Sequence, residues 1–208
     1  MSVVWSVPRA WEGEAAFVLG GGDSLRGFDA GRLKGHGRVI AVNDAFRIAP
    51  WADVLYFGDR KWFDWNRGSL GMFRGEHIVT RVEVGATPPL KIKRLRRNLD
   101  VGLARHPSEV AGWCSGGNAI NLAYLFGAAP IVLLGFDMKG GNWHTHHRTP
   151  KNLDAYRRHF IPHIERMAPE LEREGVTVIN ATPGSALGCF PIVSLDDILA
   201  DPPLAANA

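Results

Sequence analysis

The sequence predicts one α/β domain: a Rossmann-like, mostly parallel sheet with helices on both faces. Three observations carry that prediction. Short apolar runs alternate with longer helical patterns along the 208 residues, the order that βα units produce. The runs are continuous in Val, Ile and Leu, as in strands covered on both faces. Each leads into a small or polar residue, Gly20, Asn43, Asp59, Asp137 or Asn180, and open parallel sheets bind ligands beyond the carboxyl ends of their strands.

Taken in order, the first run, 15–19, ends in Gly20-Gly21-Gly22-Asp23-Ser24. The second, 38–42, ends in Asn43-Asp44, and the third, 54–57, in Gly58-Asp59. A weaker strand is read at 77–80. Residues 91–97 carry five positive charges, Lys91, Lys93, Arg94, Arg96 and Arg97. Ile92, Leu95 and Leu99 fall at helical spacing there, so the segment reads as an amphipathic helix with a solvated basic face or as a phosphate-facing patch. Residues 115–126 read as a helix capped by Ser115. The strongest apolar run, 131–134, leads into Gly135-Phe136-Asp137. A long helix is expected over 152–174, closed by Gly175, and a last strand over 176–179. One domain over 1–200 is expected, with a loose Pro- and Ala-rich tail at 201–208.

Composition narrows the function classes. With 46% hydrophobic and 22% charged residues, the chain is globular and not disordered. Two cysteines, Cys114 and Cys189, exclude a disulfide framework, and Cys114 reads as a buried, inert thiol. No apolar run approaches the ~18 residues of a membrane span, and residues 1–11 lack the pattern of a secretory signal. A cytoplasmic protein is therefore expected. The net charge of +3 does not by itself indicate nucleic acid. The 24 Gly suggest tight βα turns and the seven Trp suggest flat ligands as much as core packing.

Several constellations bear chemistry. Gly20, Gly21 and Gly22 after the first strand would let a backbone approach a nucleotide or phosphate, with Ser24 at the following helix start. The loop is neither a dinucleotide fingerprint, since Leu25 stands where the third Gly belongs, nor a Walker A loop. Residues 140–147 hold three histidines, His144, His146 and His147, in a loop past a strand end, where a general base or acid would sit. Zinc finds little support there, because no Cys-x-x-Cys or helical His pair accompanies them. Ser115 and Gly116 open the central helix and leave amides free for ribose or phosphate. Tyr56, Trp62 and Trp65 flank Asp59 and read equally as core packing or as a stacking surface. Thr182-Pro183-Gly184-Ser185 is turn chemistry first.

The ordered set Gly-Gly-Gly-Asp-Ser-Leu (20–25), Val-Asn-Asp (42–44), Tyr-Phe-Gly-Asp (56–59), Ser-Gly-Gly-Asn-Ala (115–119), Leu-Leu-Gly-Phe-Asp-Met (133–138) and Asn-Ala-Thr-Pro-Gly-Ser-Ala-Leu (180–187) carries a resemblance. Over roughly residues 15–190 it resembles the superfamily that joins family 42 sialyltransferases to the MptE-like 6-hydroxymethylpterin diphosphokinases, with small phage and prophage proteins nearby. The resemblance implies a nucleotide at the carboxyl edge of the sheet. Gly20, Gly21, Gly22, Ser24 and Asn43 would line it, and Ser115 and Asp137 would lie near its ribose and base; Asp59 and Gly116 are expected among the nucleotide-binding residues. A His in the loop after the Asp-bearing strand would be the general base, His147 by best match and His144 second. Arg148 or Lys151 would stabilise the leaving phosphate. The first loop departs from the family's usual Gly-x-Gly-Pro-Ser, and no Tyr occurs over 138–151, where the sialyltransferases place phosphate-binding tyrosines.

The expectation is a nucleotide-dependent, glycosyltransferase-like enzyme with a CMP-type nucleotide-sugar donor and no required metal. One alternative is a diphosphokinase with Mg²⁺ held by Asp59 and Asp137. Another is a phage-type nucleic-acid-associated protein that binds through Lys91, Lys93, Arg94, Arg96 and Arg97. A homo-oligomer is left open.

Overall fold

The computed structural model describes residues 4–145 and 153–201. Its strands are β1 (Ala16–Leu19), β2 (Arg38–Val42), β3 (Val54–Phe57), β4 (His77–Thr80), β5 (Ile92–Arg94), β6 (Arg96–Asn98), β7 (Glu109–Ala111), β8 (Ile131–Leu134) and β9 (Val178–Asn180). Seven of them form one sheet in the order β5-β4-β3-β2-β1-β8-β9, and every pairing is parallel. β6 and β7 make a separate parallel pair. The order reverses between β1 and β8, the switch point at which such sheets open a ligand crevice. The fold is the Rossmann-like α/β class that the apolar runs predict.

The continuous apolar runs follow from burial on both faces. Successive side chains of a strand point to opposite sides. Val18, Ile40, Val42, Tyr56 and Leu133 face one core, while Phe17, Leu19, Ala41, Leu55 and Leu134 face the other. The first core is closed by α2 (Ser115–Phe126) and α4 (Ile161–Arg173). The second is closed by α1 (Arg60–Asn66), α5 (Leu195–Ala200) and three-ten turns at 30–33 and 43–47. Between β8 and α4 a short α3 (Leu153–Ala155) runs into a π turn over Tyr156–Phe160, so the expected long helix exists with a widened turn inside it. α2 is buried at every residue from Gly117 to Phe126, which makes it the central helix of its layer.

Two local expectations are corrected. The basic segment is not a helix: β5 joins the edge of the main sheet, and β6 starts the small pair two residues later. Leu95 is the fully buried pivot between them. The segment's apolar residues fall at helical spacing, but the parallel pairing of β5 with β4 decided the outcome. The cap of α2 is Cys114 and not Ser115, with the thiol sulfur accepting from the Gly117 amide at 3.3 Å.

Both sheet margins are covered. Val4 bridges to Arg94 beside β5, and Ile192 bridges to Asn180 beside β9, which blunts edges that would otherwise pair with another chain. Among the described residues no helix is long and apolar enough to cross a membrane. Residues 202–208 of the expected tail lie outside the described residues.

Candidate functional site

The register sets the site. Leu19 stands opposite Ala41 and Leu134, Val42 opposite Tyr56, and Phe57 opposite Thr80. The strands therefore end nearly level, and the residues after them rise as one row: Gly20, Asn43, Gly58, Arg81 and Gly135. Above the row lies a cleft of about 270 Å³, near the lower bound of small-molecule sites. The first turn of α2 forms its roof. The 140–144 segment and the π turn, through Tyr156 and Phe160, form the far wall.

The glycine loop is shaped first by the protein itself. The Gly20 and Gly22 amides donate to the Leu134 and Gly135 carbonyls at 2.7 and 2.9 Å. A Cβ on Gly20 would come within 2.6 Å of the Gly135 carbonyl oxygen, and one on Gly22 within 1.8 Å of Asp137 Oδ2. Two strand ends thus close on each other, which only residues without a Cβ allow. Ser24 donates from its amide to Asp137 Oδ1 at 3.1 Å and from its hydroxyl to Oδ2 at 2.7 Å. That carboxylate holds the loop from behind, and neither Ser24 nor Asp137 is part of the cleft wall. Ser24, expected to line the nucleotide, and Asp137, expected near its ribose and base, form a latch between the β1 and β8 loops. Thr182 and Ser185 brace the same β8 loop, through the Phe136 amide and carbonyl respectively.

The other expected nucleotide contacts, Gly20, Gly21, Gly22, Asn43, Asp59, Ser115 and Gly116, all line the cleft. Asn43 and Met138 hold left-handed backbone, with φ of 52° and 54°. Such conformations in non-glycine residues cluster at functional sites. Asn43 Oδ1 is buried without a hydrogen-bond partner. Asp59 caps α1, accepting from the Lys61 amide at 2.7 Å.

His144 is the histidine the described structure brings into the cleft. Its Nε2 lies 3.7 Å from Asp44 Oδ2, with both side chains nearly closed to solvent at 6% and 4% exposure. At that distance the contact is electrostatic and not a hydrogen bond. Asp44 also accepts from Trp62 Nε1 at 2.7 Å and from Arg47 Nε at 3.0 Å. Trp62 is thereby a buried donor, and Tyr56 is wholly buried, so both resolve toward packing. His146, His147, Arg148 and Lys151 lie outside the described residues.

Three residues were not singled out as site residues in the sequence reading. Asp44 had a visible signal, the polar pair Asn43-Asp44 at a strand end. Arg81 follows β4 directly, as Asn43 follows β2, but a basic residue did not match the small or acidic residues at the other ends. Trp113, 42% exposed on the cleft rim, is stacked on His159 with centroids 4.9 Å apart, and the Arg97 guanidinium lies 5.9 Å from its ring. Cys114 is a cleft residue whose thiol is pushed up by burial, as expected of an inert sulfur.

Three members of the basic run have partners within the chain. Arg94 pairs with Glu83 at 2.9 Å and Arg96 with Glu109 at 3.2 Å. Lys93 sits against the His77 ring at 2.8 Å and over Trp5 at 4.2 Å. These contacts lend the nucleic-acid reading no support. A metal fares no better. Asp137 is held by Ser24, Asp59 caps a helix, and among the described residues no group of three or more His, Cys, Asp or Glu could hold a metal ion. The pair named for Mg²⁺ does not fit one.

Fold and cleft together define a doubly wound α/β domain with a small polar site at its switch point. Two solved structures share that architecture. One is the sialyltransferase CstII from Campylobacter jejuni in complex with a substrate analogue, cytidine 5′-monophosphate. It has a TM-score of 0.59 and 13% identity, over 88% of this chain and 86% of that one. The other is sialyltransferase CST-II in complex with a trisaccharide acceptor and CMP, with a TM-score of 0.53 and 14% identity, over 94% and 89%. At this identity the likeness is one of fold. No protein-family model and no curated protein matches the chain.

Proposed function

We propose that the chain is a nucleotide-dependent transferase of the glycosyltransferase type, using a CMP-type nucleotide-sugar donor. The observation that carries this reading is the pairing of His144 with buried Asp44 inside a cleft at the sheet's switch point. The neighbours' CMP complexes support the choice of nucleotide.

In this reading the nucleotide lies at the β1/β8 end, against Gly21, Asn43, Ser115 and Gly116. His144 removes the acceptor hydroxyl proton as the acceptor oxygen bonds to the sugar's anomeric carbon, and the bond from that carbon to the phosphate oxygen breaks. The nucleoside monophosphate leaves with the bonding electrons. Asp44 stabilises the imidazolium that forms. The amides at the start of α2 face the charge that develops on the phosphate, and Tyr156 on the far wall is placed to donate its phenol hydroxyl. His147 and Arg148 remain proposed partners of this chemistry from the adjoining segment. The diphosphokinase reading draws no support from the carboxylates it needs.

A thermal-shift panel of CMP, CDP, UDP, GDP, ADP and ATP, with and without Mg²⁺, tests the reading. CMP without Mg²⁺ should raise the melting temperature by roughly 5–10 °C at 100-fold excess over its Kd. His144→Ala should keep that shift and lose CMP release from a CMP-sugar. A response confined to Mg-ATP, or none at all, refutes it.

A further inference from the structure

A second cluster of reactive groups lies away from the cleft, at the opposite edge of the sheet. α2 opens over the cleft at Ser115 and ends at Phe126, about 17 Å further along its axis. There the ring of His77, the first residue of β4, stacks on Phe126 with centroids 6.1 Å apart and meets Trp5 edge-on at 5.1 Å. Lys93 on β5 stands opposite Val79. Side chains two apart on a strand share a face, which brings Lys93 beside His77. Its Nζ lies 2.8 Å from His77 Nδ1, 3.3 Å from Nε2 and 4.2 Å from the centre of the Trp5 ring. None of these residues lines the cleft.

His77 joins Lys93 to a carboxylate. Its Nε2 lies 3.2 Å from Glu76 Oε1. A carboxylate only accepts and an ammonium only donates. The pair therefore favours the tautomer with the proton on Nε2 and the lone pair on Nδ1, the nitrogen nearer Lys93. Carboxylate, imidazole and amine stand in the order that orients a base and relieves a nucleophile of its proton. The imidazole is nearly closed to solvent, at 10% exposure, while Glu76 is open and Lys93 is half-buried, so the amine can be reached from outside. Burial also pulls the Lys93 ammonium below the usual range, against the opposing pull of Glu76. Lysines in such surroundings are the ones that serve as nucleophiles.

We infer that Lys93 is a modification site that takes an activated acyl group, from an acyl phosphate or an acyl thioester, with His77 as its base and Glu76 as the residue that positions the imidazole. His77 Nδ1 accepts the ammonium proton and passes it to solvent, which bares the lone pair on Nζ. That lone pair bonds to the acyl carbon, the bond from the carbon to phosphate oxygen or thiol sulfur breaks, and inorganic phosphate or thiolate leaves with the electrons. The second proton that Nζ sheds follows the same route. The amide that forms carries no charge, so the cation over Trp5 is lost. This happens where Val4 and Trp5 hold the margin of β5 through Arg94.

Incubation of the full chain at pH 7.5 with acetyl phosphate and, separately, with acetyl-CoA tests this, each lysine being followed by mass spectrometry. Lys91, exposed and two residues away, is the internal reference. In the folded chain Lys93 should acetylate at least about tenfold faster than Lys91, a floor below the ~100-fold that a positioned base commonly contributes. In urea the two should react alike. The donor that works assigns the acyl phosphate or the acyl thioester. His77→Phe, which keeps a ring against Trp5 and Phe126, should bring Lys93 down to the rate of Lys91. Glu76→Ala, an exposed change that leaves the fold intact, should remove part of the advantage. A ratio near one with both donors, no acetylation of Lys93, an advantage that persists in urea, or an undiminished ratio in either variant overturns the inference.

Discussion

Removing the Asp44 carboxylate should cost the fold about 2–4 kcal/mol, and the structure shows where that comes from. Trp62, only 6% exposed, loses the acceptor of its indole N–H, a 2.7 Å bond. Leaving such a donor unsatisfied costs about 1–3 kcal/mol. Arg47 loses a 3.0 Å contact but keeps Asn66 Oδ1 at 2.8 Å and is 22% exposed, so its share is about 1 kcal/mol or less. Asp44→Ala should therefore lower the melting temperature by roughly 5–15 °C. Asp44→Asn keeps one oxygen for Trp62 and loses only the charge, so about 1 kcal/mol is expected. Urea unfolding followed by fluorescence measures both, with an unchanged slope showing that the denatured state is comparable. Trp62→Phe removes the other partner, and combining it with Asp44→Ala should add less than the sum of the two. An Asp44→Ala variant within 0.5 kcal/mol of wild type would refute the reasoning. So would an Asn variant as unstable as the Ala variant, because charge and not the hydrogen bond would then dominate.

His163 on α4 is buried, and burial, with the Arg166 charge nearby, holds its pKa below the usual value. Below about pH 6.5 the unfolded chain takes up a proton that the folded chain refuses, so stability should fall as pH drops through that range. His163→Leu should flatten this limb by up to one proton's slope, read from melting temperatures between pH 7.5 and 5. Gly22→Ala forces a methyl to 1.8 Å of Asp137 Oδ2 and 2.7 Å of the Gly135 oxygen. It should weaken ligand response in the thermal panel more than Gly68→Ala, where a Cβ meets nothing within 4 Å and the backbone is not left-handed. Burial raises both thiols, Cys189 to about 11. Native protein at pH 7.5 should therefore react with a thiol reagent far more slowly than protein in urea, and rapid native labelling of Cys114 would contradict its inert character.

The main sheet was legible because each strand buries both faces, which writes continuous Val, Ile and Leu into 16–19, 39–42, 54–57 and 131–134. The same logic failed at 91–98. There each strand is three residues long, and the charged side chains find partners far away in sequence, Glu83 for Arg94 and Glu109 for Arg96. The row of strand-end residues located the cleft, but sequence could not separate residues that face it from those that build it. Ser24 and Asp137 looked like ligand groups and bond to each other. Asp44 looked incidental, and its importance needs Trp62 and His144 to arrive from other loops. Arg81 is conspicuous only once Gly58, Ser115 and Asn118 are known to surround it.

The Ser24–Asp137 latch also says something about the order of assembly. Its two halves are 113 residues apart, and β2 to β7 are synthesised in between. Long-range pairings of this kind form late, because the chain between them must first be ordered. While a nascent chain ends before residue 131, one side of β1 has no neighbour, and the backbone of the future central strand is open to wrong pairing. The substrate wall and the cure for that exposed edge arrive together, when β8 docks and the two glycine loops close on each other.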